Sequence, residues 1–271
     1  MNLSINNQAR LPFQFQEVKE QFILNCLQKI KTSKAAGLDN MPPRLLKDSA
    51  HVISSSLTKI VNMSLEQGIV PDDFKDAKVI PVFKSGKSED LDNYRPISVL
   101  QIISKILERA VQEQLYVYLT THQLLNPYQC GFRRFHSTET AAISLTDTIR
   151  GNIDQKLITG AVFVDLRKAF DTIDHHLLLA KLNSYGIGRN ELNWFNDYLT
   201  NRSQTVSFQN VLSPPSIISS GVPQGSILGP LLFNLFINDL PSVTSNCGVL
   251  MYADDTFSIM PIKIVKSSSR C

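Results

Sequence analysis

From Ser203 to Ala253 the only charged side chain is that of Asp239, and the stretch runs directly into a pair of adjacent carboxylates, Tyr252-Ala-Asp-Asp255. A segment this poor in charge either builds the interior of a folded unit or makes the chain sticky. Nearly all the other charges lie in the first 202 residues. The hydrophobic share of 43% supports a sizeable core and excludes wholesale disorder. A formal net charge of +3 excludes a strongly basic tail protein but leaves room for a local nucleic-acid groove. The longest apolar run, Leu231 to Ile237, is interrupted by Asn234 and falls far short of the ~18 residues of a membrane span. Cys26, Cys130, Cys247 and Cys271 are too widely spaced for a CxxC pair or a zinc knuckle. With no secretory signal at Met1 they read as free thiols in a reducing compartment.

Helical spacing recurs over residues 13–70, with Val18, Phe22, Leu27 and Ile30, then Leu57, Ile60, Val61 and Leu65, ending near Gly68. Between these groups, Lys34-Ala-Ala-Gly-Leu-Asp-Asn-Met-Pro-Pro43 reads as a loop. Val79-Ile-Pro-Val-Phe83 predicts a strand, Lys84-Ser-Gly-Lys-Ser88 a turn, and Asn93 to Ser98 the return arm. Pro81 and Pro96 assign both arms to a sheet edge. A long helix is expected after residue 99 and another over 138–150, opening on Ser137. Ala161-Val-Phe-Val164 has the continuous apolar character of a buried strand and ends on Asp165. Helices over 173–184 and 189–200, a strand around Val206 and Phe208, and an apolar helix over 226–239 follow. Val249 to Ile259 predicts a hairpin with the Asp pair at its tip. This order gives an α+β fold.

An Asp at a strand end and two at a hairpin tip converge if the strands are neighbours. Hard oxygen ligands so placed suit two divalent ions roughly 4 Å apart, the arrangement used for phosphoryl transfer. Taken singly, Asp165 reads as well as a helix cap, and Asp254-Asp255 as a polar turn.

Several ordered blocks together carry a resemblance. They are Ser33-Lys-Ala-Ala-Gly-Leu-Asp39, Asn93-Tyr-Arg-Pro-Ile-Ser98, Ser104-Lys-Ile-Leu-Glu108 and Gln129-Cys-Gly-Phe-Arg133, followed by Ala161-Val-Phe-Val-Asp-Leu-Arg-Lys-Ala-Phe-Asp-Thr-Ile-Asp-His175. Gly221-Val-Pro-Gln-Gly-Ser-Ile-Leu-Gly-Pro-Leu-Leu-Phe233, Ile237-Asn-Asp-Leu-Pro241 and Tyr252-Ala-Asp-Asp-Thr256 complete them. Over roughly residues 15 to 260 the chain resembles the reverse transcriptase domain of non-LTR (LINE-type, jockey/CR1-like) retrotransposons. The resemblance implies a right-hand polymerase with fingers and a partial palm, the palm an antiparallel sheet with helices. It also implies RNA-directed DNA synthesis on an RNA template and a DNA primer from dNTPs, with two Mg²⁺ ions. On this mapping Asp165, Asp254 and Asp255 are the catalytic metal ligands. Phe170, five residues after Asp165, packs under the sugar and excludes a 2′-hydroxyl. Gln224 lies beside the incoming nucleotide on a Gly-Pro turn. Arg95 clamps the triphosphate, with Lys84 beside it.

Other residues keep open or structural readings. Arg133 either touches template or nucleotide or braces the fingers through an ion pair. Lys87 reads as a solvated turn residue. His175 and His176 lack a partner at zinc spacing and read as structural. Asn238-Asp239 reads as the polar end of the apolar helix, and Trp194 with Tyr198 as core. The resemblance divides the chain into an N-terminal linker and helix (1–32), a fingers-like region (33–159), a palm (160–260) and a divergent tail (261–271). It further implies that the endonuclease and thumb regions of a parent element are missing here, that no membrane is involved, and that the site of action is nucleus or cytoplasm. On that expectation of truncation, the alternative to a polymerase fragment is a catalytically inactive retrotransposon remnant that at most binds nucleic acid.

Overall fold

The computed structural model describes residues 11–209, 211–243 and 247–262. In chain order its elements are α1 (Glu20–Gln28), α2 (Pro43–Asp48), α3 (Ala50–Gln67), β1 (Asp76–Phe83), β2 (Tyr94–Leu100), α4 (Ile102–Thr121), α5 (Thr138–Asp154) and β3 (Ile158–Asp165). They continue as α6 (His175–Ser184), α7 (Arg189–Leu199), β4 (Arg202–Phe208), β5 (Val211–Leu212), β6 (Ser216–Ile218), α8 (Gly229–Ile237), β7 (Gly248–Tyr252) and β8 (Asp255–Ile262). The mixed helix and sheet content agrees with the α+β expectation. Two compact units emerge, each assembled from separated stretches. Among the described residues one comprises 125–169 with 234–262, and the other 11–124 with 170–233.

The element ends follow local chemistry. α3 stops where Gly68 enters the left-handed region at φ +68° and returns its N–H to Ser64. Ser137 opens α5 with a capping box, its hydroxyl and that of Thr140 each accepting the other's backbone N–H. Asp174 caps α6 by accepting the Leu177 N–H at 2.8 Å.

In the larger unit, α1 packs on α3 and α7 packs on both α3 and α6. Trp194 and Tyr198 form the expected core: both are buried, with rings stacked 5.4 Å apart. The Trp194 indole N–H donates to the Ser64 hydroxyl at 3.0 Å, so its polar end is satisfied. Phe15 adds an edge-on ring at 5.8 Å. The sheet of this unit runs β2-β1-β4-β5, with β6 also on β4. β1 pairs antiparallel with β2 and parallel with β4, the latter only over Asp76–Val79. The two prolines are therefore not evidence that both strands are edges. Pro81 and Pro96 are register partners beyond the end of the β1–β4 ladder, where a missing N–H costs nothing.

The smaller unit holds a second, wholly antiparallel sheet, β3-β8-β7. Residues 128–130 extend it along the far side of β7, with N–H···O bonds from Met251 to Tyr128 and from Cys130 to Met251, both 2.8 Å. The apolar run of β3 predicts a burial that the fold does not provide. β3 is not a buried strand: Val162, Phe163 and Val164 are 60%, 66% and 42% exposed. Among the described residues it is the end strand of the β3-β8-β7 sheet with one strand neighbour, and α5, which lies against the sheet, buries only Ala141 of its own length.

The charge-poor stretch also divides in two. Residues 221–237 are largely interior, including Leu231, Leu232, Phe233 and Leu235. Phe208, Val211, Leu212 and Ile217, on the β4–β6 ribbon, are exposed. Of the tail expected at 261–271, Pro261 and Ile262 belong to β8, and the remainder lies outside the described residues. Cys26, Cys130 and Cys247 are free thiols, with Cys26 and Cys130 held above the usual thiol range by burial.

Candidate active site

Asp165 is the last residue of β3 and stands directly opposite Asp255, the first residue of β8. Opposed residues of an antiparallel pair share one face, so both carboxylates leave the sheet on the same side. Asp255 is also the register partner of Tyr252, so β7 and β8 are joined by a two-residue turn, Ala253-Asp254. All three predicted carboxylates thus reach one end of one sheet. Asp165 and Asp255 are exposed and Asp254 is half-buried. As donors they suit a hard divalent cation, which takes carboxylate oxygens in preference to softer ligands. Their side chains are not drawn to a common point, and among the described residues no group of three His, Cys, Asp or Glu side chains stands ready to hold a metal ion.

The turn is fixed from beneath by the Gln129-Cys-Gly-Phe-Arg133 loop. The Gln129 amide is buried; its Nε2 donates to the Ala253 carbonyl at 3.1 Å, and its Oε1 accepts the Ala253 N–H at 3.0 Å and the Gly131 N–H at 2.7 Å. Gly131 is a glycine because a Cβ there would lie 2.1 Å from the Ala253 nitrogen. Asn234, the polar break in the apolar run, donates to the Gly131 carbonyl at 2.9 Å. Arg133 braces its own loop, donating from Nη1 to the carbonyls of Asn126 at 2.8 Å and Gln129 at 3.2 Å. Asn238 closes the same region, its side chain accepting the Asn126 N–H at 2.7 Å.

The larger unit gathers a second set. Phe170 stacks on Phe233, with centroids 4.9 Å apart, and its carbonyl accepts the Val222 N–H at 2.8 Å. The Gly221–Gly225 turn lies directly on this segment: at Gly221, φ +82°, a Cβ would sit 2.7 Å from the Asp171 Cα and carbonyl oxygen. Gln224 donates from Nε2 to both carboxylate oxygens of Asp171, each at 3.1 Å, and its carbonyl accepts the Ser98 N–H at 2.7 Å. Phe170 and Gln224 are therefore parts of one braced assembly. His175 has the structural role expected of it, its Nε2 lying 2.7 Å from the Gly221 carbonyl. Since a carbonyl only accepts, Nε2 carries the proton.

Arg95 lies opposite Val82 in the β1–β2 register, and the Lys84 N–H continues the ladder to the Asn93 carbonyl at 2.8 Å. Continued alternation puts the Lys84 and Arg95 side chains on one face of the hairpin, both exposed.

Gln129, Asp171 and Glu108 hold partners that motif spacing does not reveal. Glu108 was the most legible. It shares a helical stripe with Ser104, Val111 and Leu115, all buried, and a carboxylate on such a stripe needs partners. Its Oε2 accepts the Ile227 N–H at 2.5 Å and its Oε1 the Tyr198 hydroxyl at 3.1 Å. Arg202, whose guanidinium lies 5.0 Å over the Tyr198 ring, supplies the compensating charge. Burial raises the Glu108 carboxyl above the usual range, opposed by the Ile227 amide and by Arg202.

The sequence pattern of the family described as "Reverse transcriptase (RNA-dependent DNA polymerase)" matches residues 83–263, from the end of β1 through both carboxylate strands. The chain belongs to the reverse transcriptase family. This reverse transcriptase chain is 32% identical, over 88% of its length, to the "Probable RNA-directed DNA polymerase from transposon BS" of Drosophila melanogaster. It is 31% identical, over 97% of its length, to the "RNA-directed DNA polymerase from mobile element jockey" of the same fly, which places it beside reverse transcriptases of non-LTR, LINE-type elements. It is also 28% identical, over 72% of its length, to the "Retrovirus-related Pol polyprotein from type-1 retrotransposable element R2" of Popillia japonica. The chain spans 26%, 29% and 29% of the lengths of these three relatives.

Proposed function

We propose that this chain is the RNA-directed DNA polymerase portion of a non-LTR retroelement, adding a template-paired dNTP to a primer 3′-hydroxyl. The observation that carries the reading is the β3–β8 register, which sets Asp165 opposite Asp255 with Asp254 in the adjoining turn. On this reading the β3-β8-β7 sheet belongs to the palm and the β1–β2 hairpin to the fingers. Asp165, Asp254 and Asp255 would hold two Mg²⁺ ions. Such ions, when bound, acidify an attacking hydroxyl and neutralise a leaving pyrophosphate.

The chain's own residues divide the remaining work. Phe170, fixed against Phe233, presents an apolar ring with no acceptor for a 2′-hydroxyl, which favours deoxynucleotides. Gln224, with its amide nitrogen held by Asp171, leaves Oε1 to accept from a nucleotide. Arg95 and Lys84 offer cationic donors for a triphosphate, Arg95 bidentately. Sequence choice then rests on base pairing, and the protein grips the nucleic-acid backbones electrostatically.

Primer extension on a primed RNA template tests this reading directly. The wild-type chain should incorporate dNTPs only with Mg²⁺, and Asp254→Asn should abolish incorporation. Extension retained by Asp254→Asn would remove the carboxylate assignment. Template binding without extension by the wild type would favour a non-catalytic nucleic-acid-binding role.

A further inference from the structure

We infer that Gln129 is a positioning residue for the Asp254-Asp255 turn, its side-chain amide acting as a substitute peptide unit that fixes where the two carboxylates point. The inference rests on the reading of those carboxylates as metal ligands.

Ala253 begins the turn in the left-handed region, at φ +56°, a conformation that residues with a Cβ adopt reluctantly. Ala253 is buried, and its backbone N–H and C=O are directed at the Gln129 amide. Buried main-chain groups require partners. Gln129 supplies both, donating to the carbonyl at 3.1 Å and accepting from the N–H at 3.0 Å, as a neighbouring strand would. The same Oε1 takes the Gly131 N–H at 2.7 Å, which locks the amide's orientation to the loop that carries it. That loop is held in turn by Asn234 on Gly131 and by Cys130 on Met251.

Chemistry narrows the side chain to an amide of this length. A glutamate keeps the acceptor but has no donor for the Ala253 carbonyl. An asparagine is one methylene short, and a methionine fills the space with neither function. The absence of a Cβ at Gly131 is the second requirement, since it lets Gln129 fold back over the turn without a clash. Gln129 touches neither metal nor substrate on this account. It holds a backbone conformation from which Asp254 and Asp255 project, and partners one step removed from a metal commonly change its affinity by about 10–100-fold.

The test uses the full 271-residue chain. Mn²⁺ binding is followed by electron paramagnetic resonance, and exchange of the Ala253 amide proton by NMR, in wild type, Gln129→Met and Asp254→Asn. Gln129→Met is expected to weaken Mn²⁺ binding about tenfold and to speed exchange of the Ala253 N–H to the rate of an open turn. Gln129→Asn, a milder change, should move both readouts the same way and serves if the Met variant does not fold. Mn²⁺ affinity within twofold of wild type, or an Ala253 N–H still protected, would overturn the inference. If Asp254→Asn binds Mn²⁺ as well as wild type, the metal reading falls instead, and the exchange measurement alone then decides the role of Gln129.

Discussion

Removing the Glu108 carboxylate should be among the most damaging single changes in the larger unit. Glu108 is 2% exposed and Arg202 1%, so neither charge can turn to water. In Glu108→Ala the Ile227 N–H and the Tyr198 hydroxyl lose their acceptor, each at about 1–3 kcal/mol. Above the folded-state pKa of Glu108, where its carboxylate is ionised, Arg202 is also left as a buried, uncompensated charge, a change that by itself typically costs about 3–5 kcal/mol. These terms overlap, because the same cavity admits water to all three groups, and we expect a total of about 4–5 kcal/mol. Against a usual stability of about 5–15 kcal/mol that is enough to leave a weak domain largely unfolded. Glu108→Gln keeps the shape and one acceptor and should cost roughly 2 kcal/mol. Urea titration at constant pH measures both.

The same residue gives a pH signature with a definite sign. Burial raises the folded-state pKa of Glu108 above its unfolded value of about 4.3. Between the two values the folded chain keeps a proton that the unfolded chain has released. The contribution is therefore full below about pH 4.3 and is lost as pH rises through the folded pKa. The stability of wild type relative to Glu108→Gln should accordingly fall with rising pH over that window. A flat difference, or a cost for Glu108→Ala below about 1 kcal/mol, would refute the burial argument.

Three further outcomes follow from the geometry. Phe170→Val removes the ring stacked on Phe233 and should relax discrimination against rNTPs in single-nucleotide incorporation; unchanged selectivity would remove the sugar-gate role. Asp171→Asn lets the Gln224 amide turn either way and should raise the apparent KM for dNTPs about tenfold, on the order of the 1.4 kcal/mol of one charge-assisted hydrogen bond, with a smaller change in kcat. β3 carries no charge from Ile158 to Val164 and is exposed, which are the features of a strand that pairs with copies of itself. Val162→Lys should reduce concentration-dependent association in sedimentation velocity, and an unaltered profile would locate any self-association elsewhere.

Much of this protein was written locally in its sequence. The Gly68 stop and the Ser137 capping box are each set by residues within a few positions of one another, so backbone sterics and short hydrogen bonds suffice to specify them, and the β1–β2 and β7–β8 hairpins were marked by turn residues and flanking apolar runs. The ordered motifs likewise announced the family, and with it the three carboxylates. Tertiary structure alone decided what those carboxylates rest on. The parallel β1–β4 pairing, the Gln129 amide beneath Ala253, the Asp171–Gln224 contact and the Glu108–Tyr198 hydrogen bond join residues from 53 to 127 positions apart. No short-range period encodes such partners. The exposure of β3 was hidden for the same reason: an apolar run states what a strand can bury, and only the neighbours that the fold brings to it determine what is covered.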